Sequence, residues 1–338
     1  MGGATAPAAP LHSRRAVPPT PDSTAEAVAP ADPVDATAPA ASDPLAPLAA
    51  AAISSLTTLP DSALRLRAAA TTHTGLVRTN NEDTLLLRLP PEDPALSSRG
   101  ALFAVADGVG GQAAGEVASR TAADVFAQEY FSPRAPHQIE SALRQAMQAA
   151  NLAVYNLAHG PDPALRSMQT TLTALALAGR QAYLAHAGDT RVYLARAGAV
   201  TQLTADHSEA AELFKLRLIT AEQALTHPRR SVLTRALGSN LLMRPDFQRQ
   251  PLQAGDRFLI CTDGLWGELP PDELREALTA SPGDPDTACS QLLELALAHG
   301  GGDNVSHVVI DVLDPGPALA APPPGRIGRL LAGLRGGG

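Results

Sequence analysis

Four aspartates stand out for where they fall in the chain. Asp107 closes the apolar run Leu102 to Ala106 and opens onto Gly108-Val109-Gly110-Gly111, and Asp189 sits in the turn Gly188-Asp189-Thr190-Arg191. Asp263 follows the run Arg257 to Thr262 and precedes Gly264, while Asp303 follows three glycines just before the run Val305 to Val312. One such aspartate is ordinary, because Asp and Gly are common turn formers. Four at strand ends are another matter. If those strands share one edge, their carboxylates converge, and such a cluster repels itself unless cations neutralise it. Carboxylates with few His or Cys partners call for hard ions, Mg²⁺ or Mn²⁺ in preference to Zn²⁺.

The elements that must position these residues can be placed from periodicity. Leu172–Ala178, Gln181–Ala187, Arg191–Ala195 and Val200–Thr204 are short apolar runs separated by Gly-containing turns, the pattern of an antiparallel meander. Further strands are expected over 67–73, 84–88, 102–106, 257–261 and 305–312. Helical patterns occupy 113–130, 137–158, 271–280 and 285–299. Strands clustered in meanders, with helices in separate blocks, argue for an α+β layered fold with antiparallel sheets and against a doubly wound parallel one.

Composition bounds the rest. The chain has 338 residues, of which 45% are hydrophobic, enough for one large domain. With 26 Lys and Arg against 34 Asp and Glu the net charge is -8, so nucleic acid is not an expected partner. Cys261 and Cys289 are far apart and lack zinc-type spacing, which suits a reducing cytosol. No run is long enough to span a bilayer and no secretory pattern opens the chain, so a cytoplasmic location without membrane attachment is expected. Residues 1–64 are crowded with Ala and Pro and 314–338 with Pro and Gly, and both read as disordered tails around one domain at 65–313.

Taken in order, these residues resemble a known family. Gly75-Leu-Val-Arg78-Thr-Asn-Asn81-Glu82-Asp83 is similar to the opening motif of the metal-dependent protein phosphatases, the protein phosphatase 2C family, and Asp107 to Glu116 is similar to its DGMGGHxAGE motif. Thr170-Thr171, Gly188 to Tyr193, Leu203 to Ser208, Leu233 to Gly238, Thr262 to Leu265 and Gly302 to Val305 follow in the family's order, covering about residues 70 to 312 in the style of the compact bacterial members. The resemblance implies two antiparallel sheets packed face to face with α-helices on both outer sides, a four-layer αββα arrangement with metals at one end.

The function implied is hydrolysis of phosphoserine and phosphothreonine in proteins by direct attack of a metal-bridging water, with no phosphoenzyme. By the same resemblance Asp107 bridges two ions, the Gly108 carbonyl sits on one of them, and Asp263 and Asp303 complete the other. Glu82 and Asp83 bind the first ion directly or through its waters, Asp189 with Asp263 holds a third and weaker ion, and Arg78 clamps the phosphate. A planar guanidinium suits that task because its fork can hold two phosphate oxygens. The implied partners are phosphorylated proteins, a cognate Ser/Thr kinase among them, in signal transduction, with the phosphatase a monomer.

The chain departs from the family at Gln112, where His is usual and which cannot serve as an acid. A metal-bound water and His207 are the candidates to protonate the leaving group, although His207 reads first as a turn histidine bonded to its neighbours. The segment His227 to Ser231, within a flap expected over about 206–238, lacks a common Asn. Trp266, Cys261 and His186 read as packing residues. Two rival functions are weighed. Gly108 to Ala113 formally fits a dinucleotide-binding G-x-G-x-x-A, but Asp107 at its base opposes a pyrophosphate. A pseudophosphatase acting as a regulatory binding module is the other, and the full set of acidic positions argues against it.

Overall fold

Alternation within the strands sorts the side chains into three apolar layers. In β4 (Ala101–Val109) Ala101, Phe103 and Val105 face one way and Leu102, Ala104 and Ala106 the other. The first set meets Leu66, Ala68 and Ala70 of β2 (Arg65–His73), Phe258 and Ile260 of β11 (Arg257–Cys261), and Val308, Ile310 and Val312 of β12 (Val305–Asp314). This is the layer between two sheets. The second set meets helices α1 (Ala113–Tyr130) and α2 (Ile139–Ala158). Both surfaces there are rich in alanine, such as Ala174 and Ala176 facing Ala142 and Ala146, which lets helix and sheet approach closely. On the opposite side Leu259, Cys261 and Val309 pack beneath α6 (Pro271–Ala280) and α7 (Pro285–Ala298). Each fully buried Leu, Ile or Phe in these layers contributes roughly 1.5–3 kcal/mol of transfer free energy.

The computed structural model describes residues 55–58, 64–89, 96, 98–110 and 113–316. One six-stranded sheet runs β1-β2-β12-β11-β8-β9, with β1 at Ser55–Thr58, β8 at Arg191–Arg196 and β9 at Ala199–Gln202. The other runs β10-β7-β6-β4-β3, with β3 at Asp83–Arg88, β6 at Leu172–Ala178, β7 at Gln181–Ala187 and β10 at Asp246–Pro251; the short β5 (Gln169–Thr170) pairs with the end of β4. All pairings are antiparallel. The expected αββα architecture is therefore the observed one. The parallel βαβ unit that a dinucleotide fingerprint requires is absent among the described residues.

Three expectations need correction. The four-strand meander over 172–204 is two hairpins in different sheets, because the chain passes between sheets at Gly188-Asp189. Gly188 has φ +117°, and a Cβ there would meet the Thr171 side chain at 2.4 Å, so the crossing needs glycine. Residues Ser55–Thr58, assigned to the N-terminal tail, form edge strand β1 against β2. Asp107 does not end its strand, since β4 continues to Val109 by pairing with β5. The tail bounds also shift at Leu64, buried between the sheets, and at Asp314, which ends β12; 1–54, 59–63 and 317–338 of the expected tails, and Gln112, lie outside the described residues.

Candidate active site

The ends of both sheets bring the acidic residues to one place. Asp83 opens β3 directly opposite Asp107 of β4 in the antiparallel register. Across the sandwich β11 ends at Cys261, Thr262 caps a single helical turn α5 (Asp263–Trp266), and Asp263 is its first residue. The Thr262 hydroxyl donates to Asp83 Oδ2 at 3.0 Å, linking the two sheets at this end. Asp263 and Asp107 act electrostatically on each other, and Asp189, in the β7–β8 crossing, and Asp303, just before β12, act on this pair as well.

The backbone of Asp107 is fixed by Thr170 and Thr171. Thr170 Oγ1 donates to the Asp107 carbonyl at 2.8 Å, and the Asp107 N–H donates to Thr171 Oγ1 at 2.9 Å. Gly108 has no room for a side chain, because a Cβ would fall 2.1 Å from the Gly115 carbonyl oxygen and 2.7 Å from that of Glu82. Glu82 lies beside this contact, its carboxylate against Gly115 at the start of α1. Arg78 Nη2 donates to Asp303 Oδ2 at 2.7 Å, which raises the arginine pKa. The loop carrying Arg78 is held down at Gly75, where φ is +83° and a Cβ would strike the Asp303 carbonyl oxygen at 2.1 Å.

Electrostatics mark the cluster as a place for cations. Burial first, and then mutual repulsion, pushes the Asp83, Asp107 and Asp189 carboxyls well above the usual carboxylate range and raises Asp263 and Glu82 as well. Like charges gathered this way favour protonation of some of the carboxyls unless a cation neutralises them. Among the described residues no three His, Cys, Asp or Glu side chains stand in a closed ligand set. The Asp303 carboxylate is turned to Arg78. An all-oxygen donor set of this kind suits Mg²⁺ or Mn²⁺.

Several residues around the cluster were not identified from sequence. Asn304 is a hub: its Nδ2 donates to the Thr74 and Asn80 carbonyls, both at 2.9 Å, and its Oδ1 accepts the Glu82 N–H at 2.8 Å. A buried asparagine beside Asp303 was the available signal. Arg230, in the segment lacking the family's usual Asn, lies over Gly267 and its charge lowers the Asp263 pKa. Trp266, read as packing, is buried but also donates its indole N–H to the Asp189 carbonyl at 3.0 Å. His207 is occupied on both ring nitrogens, Nδ1 accepting the Gly188 N–H at 3.1 Å and Nε2 lying 3.1 Å from both Asp246 Oδ2 and Arg235 Nη1. These contacts occupy both ring nitrogens, so the ring serves the turn before Asp189.

A four-layer sandwich with acidic loops of both sheets at one end is the architecture of the metal-dependent phosphatases. The chain belongs to the protein phosphatase 2C family, whose profile matches residues 89–288. It is 39% identical over 254 residues to the serine/threonine protein phosphatase PstP of Mycobacterium tuberculosis, a match covering 74% of this chain and 46% of the relative. The chain thus spans about half of that relative's own length. Protein phosphatase PhpP of Streptococcus pneumoniae is 31% identical, with 71% of this chain and 95% of the relative covered. Among solved structures, that of the mycobacterial PstP superposes with a TM-score of 0.65 at 38% identity, covering 74% of this chain and 99% of that one. A structure of the PstP catalytic domain in complex with two manganese ions matches with a TM-score of 0.63, again at 38% identity, 74% of this chain and 99% of that one.

Proposed function

We propose that the chain is a divalent-metal-dependent phosphatase that hydrolyses phosphoserine and phosphothreonine in proteins. The observation that carries this reading is the gathering of Asp83 and Asp107 from one sheet with Asp263 and Asp303 from the other at one end of the sandwich, joined by the Thr262–Asp83 hydrogen bond, with Arg78 bound to Asp303. The relatives named as serine/threonine phosphatases and the manganese complex of PstP support it. When bound, Mn²⁺ or Mg²⁺ supplies Lewis acidity, lowering the pKa of water and offsetting phosphate charge. Asp107, Asp263 and Asp303 with the Gly108 carbonyl would hold the ions, Glu82 and Asp83 would assist them, and Asp189 with Asp263 would take a third.

Arg78 orients the phosphoryl group. Its guanidinium is half-exposed and bound through one nitrogen to Asp303, so it can turn its remaining donors to a substrate oxygen without disturbing the fold. With His207 bound to Gly188 and Asp246, protonation of the leaving group falls to solvent. The domain reaches from β1 to the end of β12, with a flap over 206–238, carrying helices α3 (Glu209–Lys215) and α4 (Ala221–Leu225), that shapes substrate choice. Phosphorylated proteins, including a cognate kinase in the cytoplasm, are the proposed substrates.

The test is phosphate release from a phosphothreonine peptide by chelator-treated protein. The proposal expects no release until Mn²⁺ is added, and none with Asp263→Asn at any Mn²⁺ concentration. Turnover that persists in chelator, or in the variant, would remove its basis.

A further inference from the structure

Behind the acidic cluster a buried ionic and aromatic contact set joins three segments that the proposed cation site depends on. Arg191, two residues after Asp189, gives Nε and Nη2 to the carboxylate of Asp206 at 2.9 and 2.6 Å. Its guanidinium lies 3.4 Å above the centre of the Trp266 ring, and Nη1 donates to the Tyr193 hydroxyl at 3.0 Å. Trp266 stands three residues after Asp263 on α5 and closes the circuit through its indole bond to the Asp189 carbonyl. Asp206 begins the flap, two residues before the Ser208 cap of α3.

A buried ion pair is weak support for stability, because desolvation offsets most of its Coulombic gain. What this one supplies is geometry. A forked, two-point bond to Asp206 fixes the plane of the guanidinium, stacking on that plane fixes the ring, and the ring fixes the Asp189 backbone. The side chains of Arg191 and Asp206 are each only 11% exposed, so water does not loosen the arrangement.

We infer that Arg191, Asp206 and Trp266 are positioning residues that hold Asp189 in register with Asp263 for the cation the two share, and that tie this register to the root of the flap. The inference rests on the cation reading given under Proposed function. Lysine in place of Arg191 keeps the charge but has neither the fork nor the stacking plane, and phenylalanine in place of Trp266 keeps the ring but not the N–H.

The experiment is a Mn²⁺ titration of the full chain, followed by the electron paramagnetic resonance signal of free Mn²⁺, for wild type, Arg191→Lys and Trp266→Phe. Arg191→Lys is expected to weaken the weakest class of site roughly tenfold and Trp266→Phe about threefold, the range of effects seen when a ligand's supporting contact is lost, with tighter sites within about twofold of wild type. Trp266 is the chain's single tryptophan, so wild-type fluorescence should also change with the midpoint of that weak class when Mg²⁺ is the titrant. Unchanged affinity at every site in both variants, while wild type binds Mn²⁺, overturns the inference alone. Absence of Mn²⁺ binding by wild type overturns the cation reading beneath it. If Arg191→Lys does not fold, the milder Trp266→Phe decides.

Discussion

Replacing Asp107 with asparagine should stabilise the metal-free protein while weakening the metal-loaded one. Asp107 is repelled by Asp83, Asp263, Asp189 and Asp303. Two unit charges 4 Å apart repel by about 4 kcal/mol at an effective dielectric of 20. Proton sharing and the partial exposure of the site reduce this to about 1–2 kcal/mol of strain that a neutral amide would relieve. For a domain of this size that amounts to a rise in Tm of about 2–8 °C. Saturating Mn²⁺ works in the other direction: at 100 times its Kd, binding adds about 2.7 kcal/mol to the wild type, and the amide, a poor ligand, forgoes it. Differential scanning fluorimetry at neutral pH, in chelator and in Mn²⁺, should therefore show the order of melting reversed between the two conditions. A variant that melts below wild type by the same margin in both would refute the reasoning.

Other outcomes follow from the same contacts. Arg78→Lys should lower kcat/KM roughly 10- to 100-fold, the worth of one charge-assisted hydrogen bond to phosphate, while Tm stays within a degree or two because its pair with Asp303 is exposed. Asn304→Ala removes three hydrogen bonds from a buried position and should cost about 2–4 kcal/mol in urea unfolding; a loss below about 1 kcal/mol would contradict the hub role. Burial holds His307 down at about 4, below the usual imidazole value of about 6.5. Because the folded pKa is depressed, the unfolded chain takes up the extra proton, so stability is complete above about pH 6.5 and is lost as pH falls towards 4, by about 2 kcal/mol at pH 5. His307→Gln, measured by urea unfolding at pH 7 and pH 5, should lose that much less than wild type; parallel losses would remove histidine as the cause.

The layers and the acidic positions were legible in the residues, and the reasons are local. Strands such as Leu172–Ala178 and Arg257–Cys261 are continuous apolar runs bounded by turn residues, and their ends come out where composition places them. β10 carries too weak an apolar alternation to read as a strand, because Asp246-Phe-Gln-Arg-Gln-Pro251 sets only Phe247 against the core, as an edge strand tolerates. The crossing at Gly188-Asp189 looks locally like any hairpin turn, and only the pairing of β8 with β11 reveals that it changes sheet. The site divides in the same way. Carboxylates next to glycines announce themselves, whereas Asn304, Arg230 and Trp266 act through contacts with residues distant in the chain, such as Asn304 with Thr74, and no spacing rule encodes these.

The central claim is that Asp107, Asp263 and Asp303 surround shared cations. Crystals grown with Mn²⁺, measured on either side of the manganese absorption edge, would locate those ions directly. The account predicts at least two anomalous peaks between these three carboxylates, with Asp303 turned away from Arg78 to meet them. Peaks found only elsewhere on the surface, with Asp303 still bound to Arg78, would contradict it.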